Sequence, residues 1–134
     1  MRLFLYWKAG ILMLNDYLYL KKDYDRLIYL SNILHDIKYD KNIDGLYIKY
    51  SDIDLSSADK FAEHEFTELC VLATYIEQAF NNKGLPGPEW VKDKRLFLSE
   101  PKFFLHNSAD VVLHATQACL NHNVFLAKSD FDVC

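Results

Sequence analysis

Residues 58–82 read ADKFAEHEFTELCVLATYIEQAFNN, and KGL follows at 83–85. The stretch lacks proline and glycine. It sets Ala62, Phe66, Leu69, Cys70, Ala73, Ile76 and Phe80 mostly three or four residues apart, the period of one helical face. Ser56 or Ser57 offers an N-cap, and Asp59, Glu63, Glu65 and Glu68 put negative charge on the N-terminal half, which suits the helix dipole in the first turns. Gly84 after Lys83 suits a left-handed C-terminal cap, with Leu85 folding back as its apolar contact. The spacing therefore predicts a long helix over Ala58–Asn82, and the remaining elements are read relative to it.

Behind that helix, residues 84–104 hold all three prolines of the chain, two of its four glycines and one of its two tryptophans. Pro88 can open a short helical turn through Trp90 and Val91. Gly84, Pro86, Pro88 and Pro101 mark a stiff chain reversal within one domain. Trp90, Phe97 and Phe103 or Phe104 are expected to fold back on the helix, with Asp93 and Arg95 or Lys94 fixing the corner electrostatically. The alternative use of Trp90, Asp93, Arg95, Phe103 and Phe104 is as anchors for a partner, because proline-stiffened aromatics lose little entropy on binding.

Working toward the N-terminus, residues 38–45 carry turn chemistry, and 46–50 hold β-formers read as a short strand or an extended loop. Asp23 is expected to cap a helix through about Ile37, and residues 3–20 suit a buried first helix, with Met13 as an alternative start. Toward the C-terminus, Ser108 is expected to cap a helix over about 109–120, and a last turn is expected over 129–133. The fold class is mainly α: one domain over 1–134, a helical bundle of about five helices with a proline-aromatic corner and at most a minor strand pair. Residues 1–57 form its N-terminal helices and loop, and 58–134 carry the motif.

Composition bounds the function. With 134 residues, 51% apolar and 25% charged, the chain can build one core. Its net charge of −4 and scattered basic residues argue against phosphate-backbone binding as the main task. Three cysteines, Cys70, Cys119 and Cys134, make an odd count without framework spacing, which suits a reducing cytoplasm. The apolar N-terminal run is broken by Lys8 and falls short of the ~20 residues a membrane span needs.

The run from Leu69 to Phe104, with Gly84-Leu85-Pro86, Pro88-Glu89-Trp90, Asp93, Arg95, Phe97-Leu98, Pro101 and Phe103, resembles a group of small bacterial proteins, as does the later Asn123-Val124-Phe125-Leu126. That group carries a GLPxPxWxxDxRxFLxxPxF segment behind a helix and a closing RNxFxxxxxL element. The likeness covers about 62–133 well, and 14–50 only in helical character. It departs at Gly87, where an aliphatic residue is expected, and at His122, where the closing element has arginine. The resemblance implies an antitoxin-like or accessory role beside a co-encoded nucleotidyltransferase-type toxin or similar protein.

Catalytic signatures are weak by comparison. His64 and Glu68 lie at i, i+4, and His114, Cys119 and His122 lie close in sequence, yet a zinc site needs about four well-placed ligands and no CxxC or HExxH occurs. Cys70 falls on an apolar face, as an inert thiol would. Neither a nucleophile elbow nor a phosphate-cradling glycine loop is present. The expectation is thus a cytoplasmic protein-interaction module that occludes a co-encoded partner, without cofactor or metal, free of membrane and without nucleic acid as direct ligand; self-association is compatible with it. The alternatives are a small metal- or nucleotide-dependent enzyme using the histidines, and a DNA-binding autoregulator.

Overall fold

The computed structural model describes residues 17, 18, 20–51, 53, 55, 61–103, 112 and 115–126. Among them are four α-helices: α1 (Asp23–Tyr39), α2 (Ile43–Lys49), α3 (Glu63–Asn82) and α4 (Gln117–His122). A 3-10 turn covers Glu89–Lys92, and two short strands, β1 (Lys102–Phe103) and β2 (Val124–Phe125), pair in parallel with Lys102 opposite Val124. This is a mainly α-helical single domain with a minor two-stranded sheet.

The long helix is the axis of the fold, though it is buried on more than one face. Every residue from Leu69 to Phe80 is buried, because α1, α4, the 3-10 turn and β2 all touch α3. Burial of a single Leu, Ile or Phe side chain is worth ~1.5–3 kcal/mol. Leu69, Leu72, Ile76 and Phe80 therefore outweigh the end caps, each worth ~1 kcal/mol. Ala62, expected on the apolar face, is exposed, and its N–H donates to Glu65 Oε1 at 3.1 Å, which fixes the helix start. Ser56 and Ser57 lie outside the described residues. At the far end Gly84 takes φ +80°, with Leu85 N–H donating to the Phe80 carbonyl and Gly84 N–H to Asn81, the cap expected of this glycine.

α1 turns Tyr29, Leu30, Ile33, Leu34 and Ile37 inward against α3. Its N-cap is Lys22, so Asp23 is not the cap: it sits in the first turn, where it still faces the dipole, and pairs with Arg26. The helix ends on Lys83, whose ammonium donates to the carbonyls of Ile37 (2.9 Å), Lys38 (3.1 Å) and Asp40 (2.7 Å), groups that would otherwise lack intrahelical partners.

Residues 46–50 are not a strand or loop: they belong to α2 and its C-cap. Asn42 Oδ1 accepts from Gly45 N–H at 3.1 Å, and a Cβ on Gly45 would meet the Asn42 side chain at 2.6 Å. A cap that closes over a glycine outweighs the β-propensity of Leu46-Tyr47-Ile48. Near the C-terminus Thr116, not Ser108, caps the described helix, its Oγ1 accepting from Cys119 N–H, and Asn123 in the left-handed region (φ 58°) ends it. Ser108, Phe104, His114, most of the first helix and the turn over 129–133 lie outside the described residues. Of residues 3–20, Tyr17, Leu18 and Leu20 are described; Tyr17 and Leu18 are buried and Leu20 is half-buried.

Candidate functional site

The corner leaves α3 through the Gly84 cap and runs back along the helix that precedes it. Gly87 is buried between the 3-10 turn and α3: a Cβ would meet Val91 Cγ2 at 2.7 Å and come to 3.5 Å from Glu77 Cα. Pro88 caps the 3-10 turn, which drives the Trp90 indole inward until its Nε1–H reaches the Tyr50 carbonyl at 2.6 Å. From α2, Tyr47 leans on Phe80 (ring centroids 4.9 Å apart) and its hydroxyl donates to the Pro86 carbonyl at 2.5 Å. A surface groove of about 460 Å³ opens between α2 and the corner, walled by Tyr47, Ser51, Pro86, Pro88 and Trp90, with Glu89 and Lys92 at its edge. Ile48, the next residue on α2, is 78% exposed.

Beneath the corner lies a buried polar cluster. Glu77 points from α3 to His122 on α4, with Oε1 to Nε2 at 2.9 Å, while His122 Nδ1 lies 2.7 Å from the Leu96 carbonyl. Asn121 Nδ2 donates to Glu77 Oε2 at 3.0 Å. The backbone continues the seam: Leu98 N–H donates to the His122 carbonyl and Lys102 N–H to Asn123, whose Nδ2 returns to the Leu98 carbonyl at 2.8 Å. This seam holds Gln117–Leu126 against residues 96–103 and creates the parallel strand pair.

The residues singled out in the sequence are distributed across these parts. Trp90 is nearly buried and forms the groove wall. Asp93 and Arg95 make a two-pronged pair at 2.8–3.3 Å, and the guanidinium together with the Arg95 N–H holds the Asp93 carboxyl below the usual carboxylate range. Phe103 is half-buried and stacks on Phe125, centroids 5.4 Å apart. Phe97 does not fold back: it is 50% exposed, because the extended chain turns its neighbours Leu96 and Leu98 inward instead. Pro86 and Pro101 are exposed.

His64 is exposed, and its i, i+4 neighbour Glu68 is engaged elsewhere, accepting from the Tyr17 hydroxyl at 2.9 Å beside the Arg26 guanidinium. Burial and the Glu68 charge push the Tyr17 hydroxyl well above its ordinary range. His122 is enclosed by Glu77 and Leu96. Among the described residues no group of three or more His, Cys, Asp or Glu side chains could hold a metal ion. Cys70 and Cys119 are buried and free, and burial pushes the Cys70 thiol up to about 12, far from the thiolate that nucleophilic chemistry needs. No helix among the described residues is long and apolar enough to cross a membrane.

Two groups escaped the sequence reading. Tyr47 lies in the stretch expected as a short strand or an extended loop and Ser51 just beyond it, although an Asn cap before Ile43, Leu46, Tyr47 and Tyr50 at helical spacing is the available signal. His122 is singled out in the sequence only beside His114 and Cys119; its partner Glu77 stands 45 residues away, and no spacing joins them. Comparison of the chain with family models, with curated proteins and with solved structures finds no match.

Proposed function

We propose that this protein acts by binding another protein, and that the groove between α2 and the corner, together with the exposed Ile48 that follows Tyr47 on α2, is the surface it offers. The observation that supports this is the pairing of a stiff wall with an uncovered apolar side chain. Pro86, Pro88 and the pinned indole of Trp90 have little freedom left to lose, and Ile48, next in sequence to the wall residue Tyr47, is 78% exposed. The finer reading rests on the resemblance of residues 84–104 and 123–126: an antitoxin-like cytoplasmic module that covers the basic cleft of a co-encoded protein. The net charge of −4 would steer that encounter and apolar contacts would hold it.

Co-expression with the product of the adjacent gene tests this. A complex that survives purification and suppresses that product's activity is expected, and Ile48→Glu, at a site too exposed to disturb the fold, should weaken it at least about tenfold. Absence of a complex would remove the proposal. A complex that Ile48→Glu leaves unchanged would move the interface away from the groove.

A further inference from the structure

The Leu96 carbonyl can only accept, so His122 must carry a proton on Nδ1 to satisfy it at 2.7 Å. Nε2 then meets Glu77 Oε1 at 2.9 Å, and this contact also needs a proton. Either the imidazole is doubly protonated against a carboxylate, or Glu77 donates from its acid form to a neutral ring. Both arrangements hold the same number of protons, one more than a neutral imidazole beside a carboxylate. Without that proton, a lone pair would face a negative charge in a site where His122 is 1% exposed.

We infer that Glu77 and His122 form a latch that holds one proton between them, and that losing it loosens Gln117–Leu126 from the corner. The groups around the latch give no substitute. Glu77 is the ionisable partner from α3, the corner offers the uncharged Leu96 carbonyl, and α4 offers Glu77 the uncharged Asn121 amide, itself bound by Gln117. Among the charges of the corner, Asp93 and Arg95 engage each other, and Lys92 faces Glu89. In an unfolded chain an imidazole releases its proton near about pH 6.5. Above that pH the latched chain binds more protons than the unfolded one, so rising pH weakens the latch.

Glu77→Gln separates the proton from the rest of the geometry. A glutamine amide can donate to Nε2 of a neutral ring that keeps Nδ1–H for Leu96, and its oxygen still accepts from Asn121. Hydrogen exchange of the Leu98 and Lys102 amides, which close the seam, reads the result in the full chain. Between about pH 6 and about pH 9 their protection factors should fall about tenfold in the wild type and change less than about twofold in Glu77→Gln. A parallel fall in both proteins, or none in the wild type, overturns the inference. Should the variant not fold, nitrogen chemical shifts of the wild-type His122 ring and the Glu77 carboxyl carbon shift decide at neutral pH: protons on both ring nitrogens, or one on Nδ1 beside a protonated Glu77 carboxyl, are expected, and a singly protonated ring beside an ionised Glu77 overturns the inference.

Discussion

The two flanks of α3 are fastened by different means. On the α1–α2 flank, polar bonds sit at the rim: the Tyr50 hydroxyl donates to Asp36 at 2.6 Å, Lys49 reaches the same carboxylate at 3.1 Å, and Lys83 caps the last carbonyls of α1. The charged side chains of Asp36 and Lys49 keep 16% and 26% of their surface exposed, so each retains some water. On the corner flank the polar pair is inside: the His122 and Glu77 side chains keep 1% and 10%. Rim bonds are redundant and partly solvated, whereas the interior pair is mutually dependent. Loss of one partner should therefore cost little on the first flank and much on the second.

His122→Leu carries the largest expected effect. It fills the space but strands Glu77 in a buried site, and should cost ~3–5 kcal/mol in urea unfolding. The double variant Glu77→Met/His122→Leu should recover most of that loss, because an apolar pair of similar volume needs no partner. If the double variant is as unstable as the single one, packing and not charge governs this flank.

Trp90→Phe comes next, because Trp90 is the beam between the flanks. It springs from the corner, yet its Nε1–H binds the carbonyl of Tyr50 at the end of α2. Phenylalanine keeps most of the apolar contact and leaves that carbonyl unpaired, at ~1–3 kcal/mol. Both flanks should report the change together by hydrogen exchange. A loss confined to the corner would show that the indole does not couple them.

How far each flank could be read in advance follows the same division. The helical axis, the glycine cap at Gly84, the turn after Pro88 and the Asp93–Arg95 pair are consequences of residues within a few positions of each other, and local spacing displays them. α2 was missed because its β-formers outweighed a single asparagine cap, whose effect depends on Gly45 letting the side chain close. The Glu77–His122 seam could not be read at all: Glu77 looks like one more acidic residue on a helix and His122 like a helix-end histidine. Only the packing of α4 against α3 brings them together.

Tyr50→Phe probes the rim. The hydroxyl is pushed far above its ordinary range by burial and by the Asp36 charge, so it acts as a neutral donor at every pH where the protein is folded. Its removal leaves Asp36 with Lys49 and should cost ~1 kcal/mol in urea unfolding. A cost matching that of His122→Leu would erase the distinction between rim and interior.

The smallest effect belongs to Asp93→Asn, at the outer edge of the corner. Asp93 and Arg95 have good two-pronged geometry, but the Arg95 side chain is 59% exposed, and such surface pairs contribute below ~1 kcal/mol. The sign of its pH dependence is nonetheless fixed. Arg95 depresses the folded-state carboxyl, so the contribution is present above about pH 4, where an unfolded aspartate is already ionised, and disappears as pH falls through the lower folded value. Urea midpoints of wild type and Asp93→Asn should differ slightly at neutral pH and converge in acid. This trend runs opposite to that of the Glu77–His122 latch, which weakens as pH rises, so one pH series on the two single variants separates the surface pair from the buried one. Divergence of the Asp93→Asn curve toward low pH would mean that Asp93 is destabilising where it stands.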